Sequence, residues 1–498
     1  MRRHAPSTRA MRRRDLLRLS LAAPAAALLA RHSSAQSAKG VSLRLTVKPN
    51  RPLAMIPPDF TGLSYESATL SDPDFFAPDN TQLIGFVRRL GSAGVLRVGG
   101  NTSEYSVWMP SGVPANARTQ PAGPDTGAHA PPRRPIMPLA IRNLRGFLDV
   151  TGWRLIYGLN LGTEVPETVA DEAAYVAKEM GPKLVSFQLG NEADLFSHNG
   201  LRKPDYDFAQ FAAEWRRYLD AVRARVPNAP IGGPDTAVNS DWLAQFAKEF
   251  GRDVRLLSQH YYAEGPPADP SATIERLLDP QNARLDTLLE GIRRAREAAP
   301  NVPFRLTETN SCYGGGKPGV SDTFASALWG LDLMYRMAAA GAAGINFHGG
   351  GYGWYSPIVG TREAGYGARP LYYCMLMFAE AGAGELVSAT IDNPTAAPLF
   401  DAFAVKGSDG VLKAILINKH VDLDVSLTIP TTGSARMLRL AAPSLEDTHN
   451  TTFGDTPVGT AGAWSPNSTE SLRSQNGLAT VLVPHASAAL VTFQWEQS

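Results

Sequence analysis

Two hydrophobic periods alternate along the middle of the chain. Short runs of apolar and β-branched residues recur as "FTGLSYES" (60–67), "VLRVGGN" (95–101), "RLIYGLN" (154–160), "LVSFQLGNE" (184–192), "PIGGPD" (230–235), "VRLLSQHYY" (254–262), "FRLTETN" (304–310) and "AGINFHGG" (343–350). Between them lie longer stretches such as 207–227 and 323–341, apolar at i, i+3, i+4 and i+7 as amphipathic helices are. Strands alternating with helices predict a parallel sheet, because parallel neighbours need crossovers and the helices cover the faces. Eight such units are what a closed (β/α)8 TIM barrel requires. An open doubly wound sheet would carry a Gly-rich phosphate turn after its first strand, and "SYESATLSDPD" has none. After the helical "RPLYYCMLMFAEAG" (369–382) the period falls to two, with turn residues between short runs, the texture of a β-sandwich. "SLRLTVKP" (42–49) has the same texture and is expected to join that module. The expected division is a leader over 1–35, an N-terminal strand segment over 36–54, the barrel over 55–382 and the β-domain over 383–498. The aperiodic, Pro- and Gly-rich stretch 109–135 reads either as a loop over the site or as a disordered segment.

Composition narrows the classes. A chain of 498 residues suits two or three domains, and 44% hydrophobic residues supply the cores. A net charge of +1 with scattered Lys and Arg excludes the basic stripe of a nucleic-acid surface. The N-terminal "MRRRDLLRLSLAAPAAALLARHSSAQS" (11–37) has an arginine cluster, an apolar stretch and a small-residue exit, the anatomy of a twin-arginine-type signal peptide. Its apolar stretch is short against the ~20 residues of a membrane span, so a periplasmic or secreted protein without a membrane anchor is expected. Two cysteines, Cys312 and Cys374, are too few for a disulfide framework, and neither has the His partner of a nucleophile or metal site.

Barrel chemistry gathers at the C-terminal ends of the strands. Those ends hold Glu66, Asn101, Asn160, Asn191-Glu192, Asp235, His260-Tyr261-Tyr262, Glu308 and His348. Glu192 ends the fourth strand and Glu308 the seventh, which face one another across a barrel mouth. Opposed carboxylates are the apparatus of glycosidic bond cleavage: one protonates the leaving oxygen, the other attacks or stabilises an oxocarbenium-like centre. Apolar neighbours would raise Glu192 toward an acid's range, and Arg97 of the second strand would keep Glu308 ionised. Asn191 is a candidate donor to the sugar 2-hydroxyl. His260 and Tyr261 read equally as satisfied core groups, and "GGGYGWY" (349–355) reads as a flexible loop or as a sugar-stacking surface. With no second His or Cys at ligand spacing, no metal is expected.

Together, "QLGNEADLF", "SQHYYAEG", "LTETNSCYGGG" and "INFHGGGYGWY" resemble the glycoside hydrolase family 79 β-glucuronidases and heparanases, a (β/α)8 clan of retaining glycosidases. The resemblance implies Glu192 as general acid/base, Glu308 as nucleophile and Asn191 as the amide before the acid. It also implies Tyr261 close to the nucleophile, Tyr313 and Gly314 lining the sugar subsite, and Gly353 and Tyr355 gripping the uronate carboxylate. Glu66 and Asn101 fall where that family binds hydroxyls, and His260 is a further candidate substrate-binding residue. No cofactor is implied, and the expected partner is an oligo- or polysaccharide containing glucuronic acid. The near-zero charge favours exo-acting release of terminal glucuronic acid over endo-acting, heparanase-like cleavage; an arabinofuranosidase and an inactive carbohydrate-binding barrel are the other readings.

Overall fold

Each apolar run becomes a strand of one closed parallel barrel in the computed structural model, which describes residues 39–111, 133–350, 353–431 and 433–494. After an N-terminal strand β1 (Lys39–Ile56), the barrel strands are β2 (Thr61–Glu66), β3 (Val95–Gly99), β4 (Arg154–Leu159), β5 (Leu184–Leu189), β6 (Ile231–Thr236), β7 (Leu256–Glu264), β8 (Phe304–Cys312) and β9 (Ile345–Gly349). They close in chain order, with β9 pairing back onto β2. The expected leader over 1–35 and most of the 109–135 segment lie outside the described residues.

The helices that cover the barrel are α1 (Thr81–Arg89), α2 (Pro138–Thr151), α3 (Pro166–Met180), α4 (Phe208–Arg225), α5 (Ser240–Phe250), α6 (Ala283–Ala298), α7 (Phe324–Ala339) and α8 (Pro370–Ala381). Their starts follow local chemistry. Asp207 and Gln210 form a reciprocal capping box on α4, while α2, α3 and α8 open on a proline, whose missing N–H costs nothing there. Strand faces turned outward join the helices in one large core that includes Trp153, Trp215, Phe187 and Phe246. Inside the barrel, Val95, Ile156 and Leu256 form a small apolar layer. Above that layer the inward residues turn polar, which is what places chemistry at the mouth.

Beyond the barrel, β10 (Gly384–Ile391), β11 (Phe400–Lys406), β12 (Leu412–Asn418), β13 (Leu423–Pro430), β14 (Ala435–Ala441), β15 (Leu478–Val483) and β16 (Ser487–Phe493) join a ten-stranded sheet. The expected sandwich is thus one continuous sheet, curled around its own core of Leu45, Val387, Leu416, Leu427, Val481 and Val491. β1 is an internal strand of it, pairing antiparallel with β10 and lying between β10 and β13. The other face, including Val405, Ile415 and Ile417, packs into the barrel core. A buried charge cluster pins the junction: Lys419 Nζ lies 2.8 Å from Asp332 of α7 and 2.8 Å from Asp401 of β11. Cys312 and Cys374 are both free and buried.

Candidate active site

The polar centre of the mouth is Arg97, on β3 and fully buried. Nη1 donates to Glu308 Oε2 at 2.5 Å, Nη2 to Asn191 Oδ1 and Asp235 Oδ2 at 2.6 Å each, and Nε to Gln188 Oε1 at 3.0 Å. A guanidinium suits this post because its planar fork carries five donors and stays charged when buried. Asp235 also accepts from Gln188 and from Thr307 Oγ1. Burial alone would raise the Asp235 carboxyl, but His260, Arg97 and these hydrogen bonds hold it well below the usual carboxylate range.

Glu192 and Glu308 enter this network from opposite sides. Glu192 follows β5 in a left-handed conformation, φ 53°, and Asp235 follows with φ 60°; such backbone is uncommon for non-glycine residues and costs roughly 1–3 kcal/mol each. The Glu192 N–H donates to the Asp235 carbonyl at 2.9 Å, which holds the turn. Glu308 lies in β8 in register with His260 of β7. His260 bridges the set, Nδ1 at 2.8 Å from Glu192 Oε1 and Nε2 at 3.2 Å from Asp235 Oδ1. One oxygen each from Glu192 and Glu308 and a ring nitrogen of His260 lie within 4.8 Å of one another.

The two carboxyls are driven apart in acidity. Burial raises Glu192, and the negative charges of Glu308 and Asp194 add to it, against the opposing pull of His260. Burial would raise Glu308 too, but His348, His260, Arg97 and the Tyr262 hydroxyl outweigh it and bring it down to about 2. Tyr262 OH donates to Glu308 Oε1 at 2.8 Å, and His348 Nδ1 lies 3.6 Å from Oε2. Burial disfavours a charged His260, yet Asp235, Glu308 and its hydrogen bonds push it up to about 10. A charged imidazole donates from both nitrogens, which suits its place between the Glu192 and Asp235 carboxylates.

The other expected residues divide. Asn191 Nδ2 donates to Asn101 Oδ1 at 3.0 Å, which brings Asn101 to the mouth. Glu66 accepts from Thr102 N–H and Oγ1, with His348 Nε2 3.4 Å away, so it is engaged on the Glu308 side. The Tyr355 ring sits 6.1 Å from Tyr262 and 5.9 Å from His348. Tyr313 is exposed and its ring packs edge-on to Tyr262 at 6.3 Å. Gly314 follows with φ 71°, and the Gly353 carbonyl accepts from Arg369 Nη1 at 2.5 Å. Tyr261 is a correction: it is buried in the outer core, in register with Thr309, and does not bond Glu308. Successive strand residues face opposite sides, so with His260 pointing inward it is Tyr262, not Tyr261, that reaches the nucleophile position.

Two contributors lie outside the expected site set. Gln188, inward on β5, bridges Arg97 and Asp235; its place one residue before the end of the strand is the signal. Glu104 sits in the 3-10 turn Asn101–Tyr105, where no periodicity marks it. It accepts three backbone N–H groups, while burial pushes it up to about 7.

Comparison with known proteins agrees with this architecture. The model of the glycosyl hydrolase family 79 N-terminal domain matches residues 142–334, and that of the family 79 C-terminal beta domain matches 402–490. Together they take in more than half of the chain. The chain belongs to glycosyl hydrolase family 79. Among curated members, a beta-glucuronidase of Aspergillus niger is 25% identical over 437 residues, covering 80% of this chain and 79% of that protein. A heparanase of Bos taurus is 24% identical over 402 residues, covering 69% and 70%. Among solved structures, the Rha-GlcA complex of a 4-O-α-L-rhamnosyl-β-D-glucuronidase from Fusarium oxysporum 12S superposes with a TM-score of 0.73 at 17% identity, over 91% of this chain and 100% of that one. This family 79 chain is accordingly a glycoside hydrolase with a (β/α)8 barrel and an accessory β-sheet domain.

Proposed function

We propose that the protein is a retaining, exo-acting β-glucuronidase that releases terminal glucuronic acid from glycans. The observation that carries this reading is the approach of Glu192 and Glu308 within 4.8 Å, one carboxyl raised and the other lowered in pKa. That approach, between one oxygen of each carboxyl, favours the roughly 5–5.5 Å separation of retaining pairs over the roughly 6.5–9.5 Å of inverting ones. Glu308 attacks the anomeric carbon as Glu192 gives its proton to the departing glycosidic oxygen, forming a glycosyl ester. Glu192, now ionised, takes a proton from water, whose oxygen displaces Glu308 and restores both groups. Arg97 and Tyr262 keep Glu308 ionised before attack. Asn191 has a second amide hydrogen for a sugar hydroxyl.

The uronate reading draws on the family relatives named beta-glucuronidase and on the aromatic wall of Tyr355, Tyr262 and Tyr313 next to Glu308. Phenol hydroxyls on that wall suit a carboxylate. The leader-like stretch within 1–35 supports export to the periplasm or beyond, where such glycans are met. The test is a panel of p-nitrophenyl glycosides with wild type and Glu308→Ala. Wild type is expected to cleave the β-glucuronide far faster than the β-glucoside, β-xyloside or α-L-arabinofuranoside, and Glu308→Ala to lose that activity while staying folded. A glucoside cleaved as well as the glucuronide overturns the uronate assignment; a Glu308→Ala variant within tenfold of wild type overturns the nucleophile. Oligosaccharide products from a longer glucuronan would assign endo action instead.

A further inference from the structure

Glu104 is buried and bonds neither reacting carboxylate nor Arg97 itself, yet it grips the backbone of Asn191, an Arg97 partner. Oε1 accepts the backbone N–H of Asn191 at 2.5 Å, and the Ser103 hydroxyl lies 3.4 Å away. Oε2 accepts the N–H of Leu161 at 2.9 Å and of Gly162 at 2.5 Å. One carboxylate thus ties together the ends of three adjacent barrel strands: β3 through its own turn, β4 through 161–162, and β5 through Asn191. The residue after Asn191 is Glu192, held in left-handed backbone. That turn has little intrinsic preference for its shape, so something outside it must fix it.

We propose that Glu104 is the positioning residue of the general acid, clamping the Asn191–Glu192 turn so that the Glu192 carboxyl faces the glycosidic oxygen. The proposal rests on the reading of Glu192 as the acid. An ionised carboxylate fits the task because it offers about four acceptor sites and no donor, and three backbone N–H donors converge here. A proton on Oε2 would compete with the N–H groups of Leu161 and Gly162 already bonded there. The facing charge is Arg202, whose Nη1 and Nη2 donate to the Gly162 and Leu161 carbonyls at 2.9 Å each. Arg202 is itself paired with Glu214 at 2.7 Å, and the phenols of Tyr105, Tyr206 and Tyr218 complete the titratable surroundings. The 161–162 loop is therefore gripped from both sides, its N–H groups by Glu104 and its carbonyls by Arg202.

Glu104→Gln is the test, since glutamine keeps the volume but sets an NH2 group against some of these N–H donors. A misplacement near 1 Å costs on the order of 10²-fold in rate. Glu104→Gln is expected to lose that much in kcat/KM on an alkyl β-glucuronide, whose leaving group needs protonation. On the 2,4-dinitrophenyl glucuronide, which departs unaided, the loss is expected to stay below about tenfold. Equal losses on both substrates, or wild-type rates on both, overturn the proposal. Hydrogen exchange of the wild-type enzyme reads the clamp without a variant, should Glu104→Gln fail to fold: the amides of Leu161, Gly162 and Asn191 are expected to exchange far more slowly than exposed loop amides, and exchange at loop rates overturns it. Wild type inactive on every glucuronide refutes the β-glucuronidase reading itself; active wild type with an unselective Glu104→Gln refutes only the clamp.

Discussion

Tyr262→Phe isolates one contribution to the acidity of Glu308. It deletes the hydroxyl that donates to Glu308 Oε1 at 2.8 Å and keeps the ring packed between Tyr313 and Tyr355. A hydrogen bond to a charged group contributes about 1.5–3 kcal/mol, and Tyr262 is only part-buried, which argues for the lower end. About 1.5 kcal/mol is roughly one pKa unit at 1.36 kcal/mol per unit. The Glu308 carboxyl, at about 2 in wild type, should therefore rise by about one unit in the variant. A carboxyl lowered by folding stabilises the protein above its unfolded pKa and loses that contribution as pH falls through the folded value. The variant is thus less stable than wild type at neutral pH, and the gap narrows on acidification as Glu308 takes up its proton. The assay is kcat/KM on p-nitrophenyl β-glucuronide across the acid range, alongside thermal unfolding at the same pH values. An acid limb that stays in place or moves down, or a stability gap that does not narrow between about pH 4 and about pH 2, refutes the reasoning.

Two further outcomes are expected. Glu192→Gln should lower kcat/KM by roughly 10²–10⁴-fold on poor leaving groups, the usual worth of a general acid, and much less on activated aryl glucuronides; uniform losses count against the acid role. Arg97→Met leaves Glu308 and Asp235 buried without their shared cation, a change that costs about 3–5 kcal/mol; denaturant unfolding should show it, and an unchanged midpoint would mean the pairing contributes nothing.

The barrel is legible in the sequence because each of its strands is an apolar run bounded by turn residues and followed by a helical period. Reading only strand ends then finds Glu192, Glu308, Asp235, His260 and His348. The residue that bonds the nucleophile is missed by one place: "HYY" supplies two tyrosines, and only the inward phase set by His260 chooses Tyr262. The expected approach of Arg97 to Glu308 is a contact of 2.5 Å, although no spacing along the chain demands it. Glu104 leaves no trace because a 3-10 turn has no amphipathic period and its partners are backbone groups. The sandwich texture is legible, but not that a single sheet curls to make it, since pairing partners such as β1 and β10 lie hundreds of residues apart.

That pairing bears on how the chain can be made. β1 is synthesised first, but its neighbours β10 and β13 emerge only after all eight barrel units. Its backbone hydrogen bonds are closures of very long loops, the costliest kind to form early. The strand therefore waits while the barrel assembles, and a chain cut before residue 384, where β10 begins, would leave it with an open edge able to recruit foreign strands. Removing the C-terminal region to obtain a minimal enzyme should yield aggregates rather than a trimmed barrel.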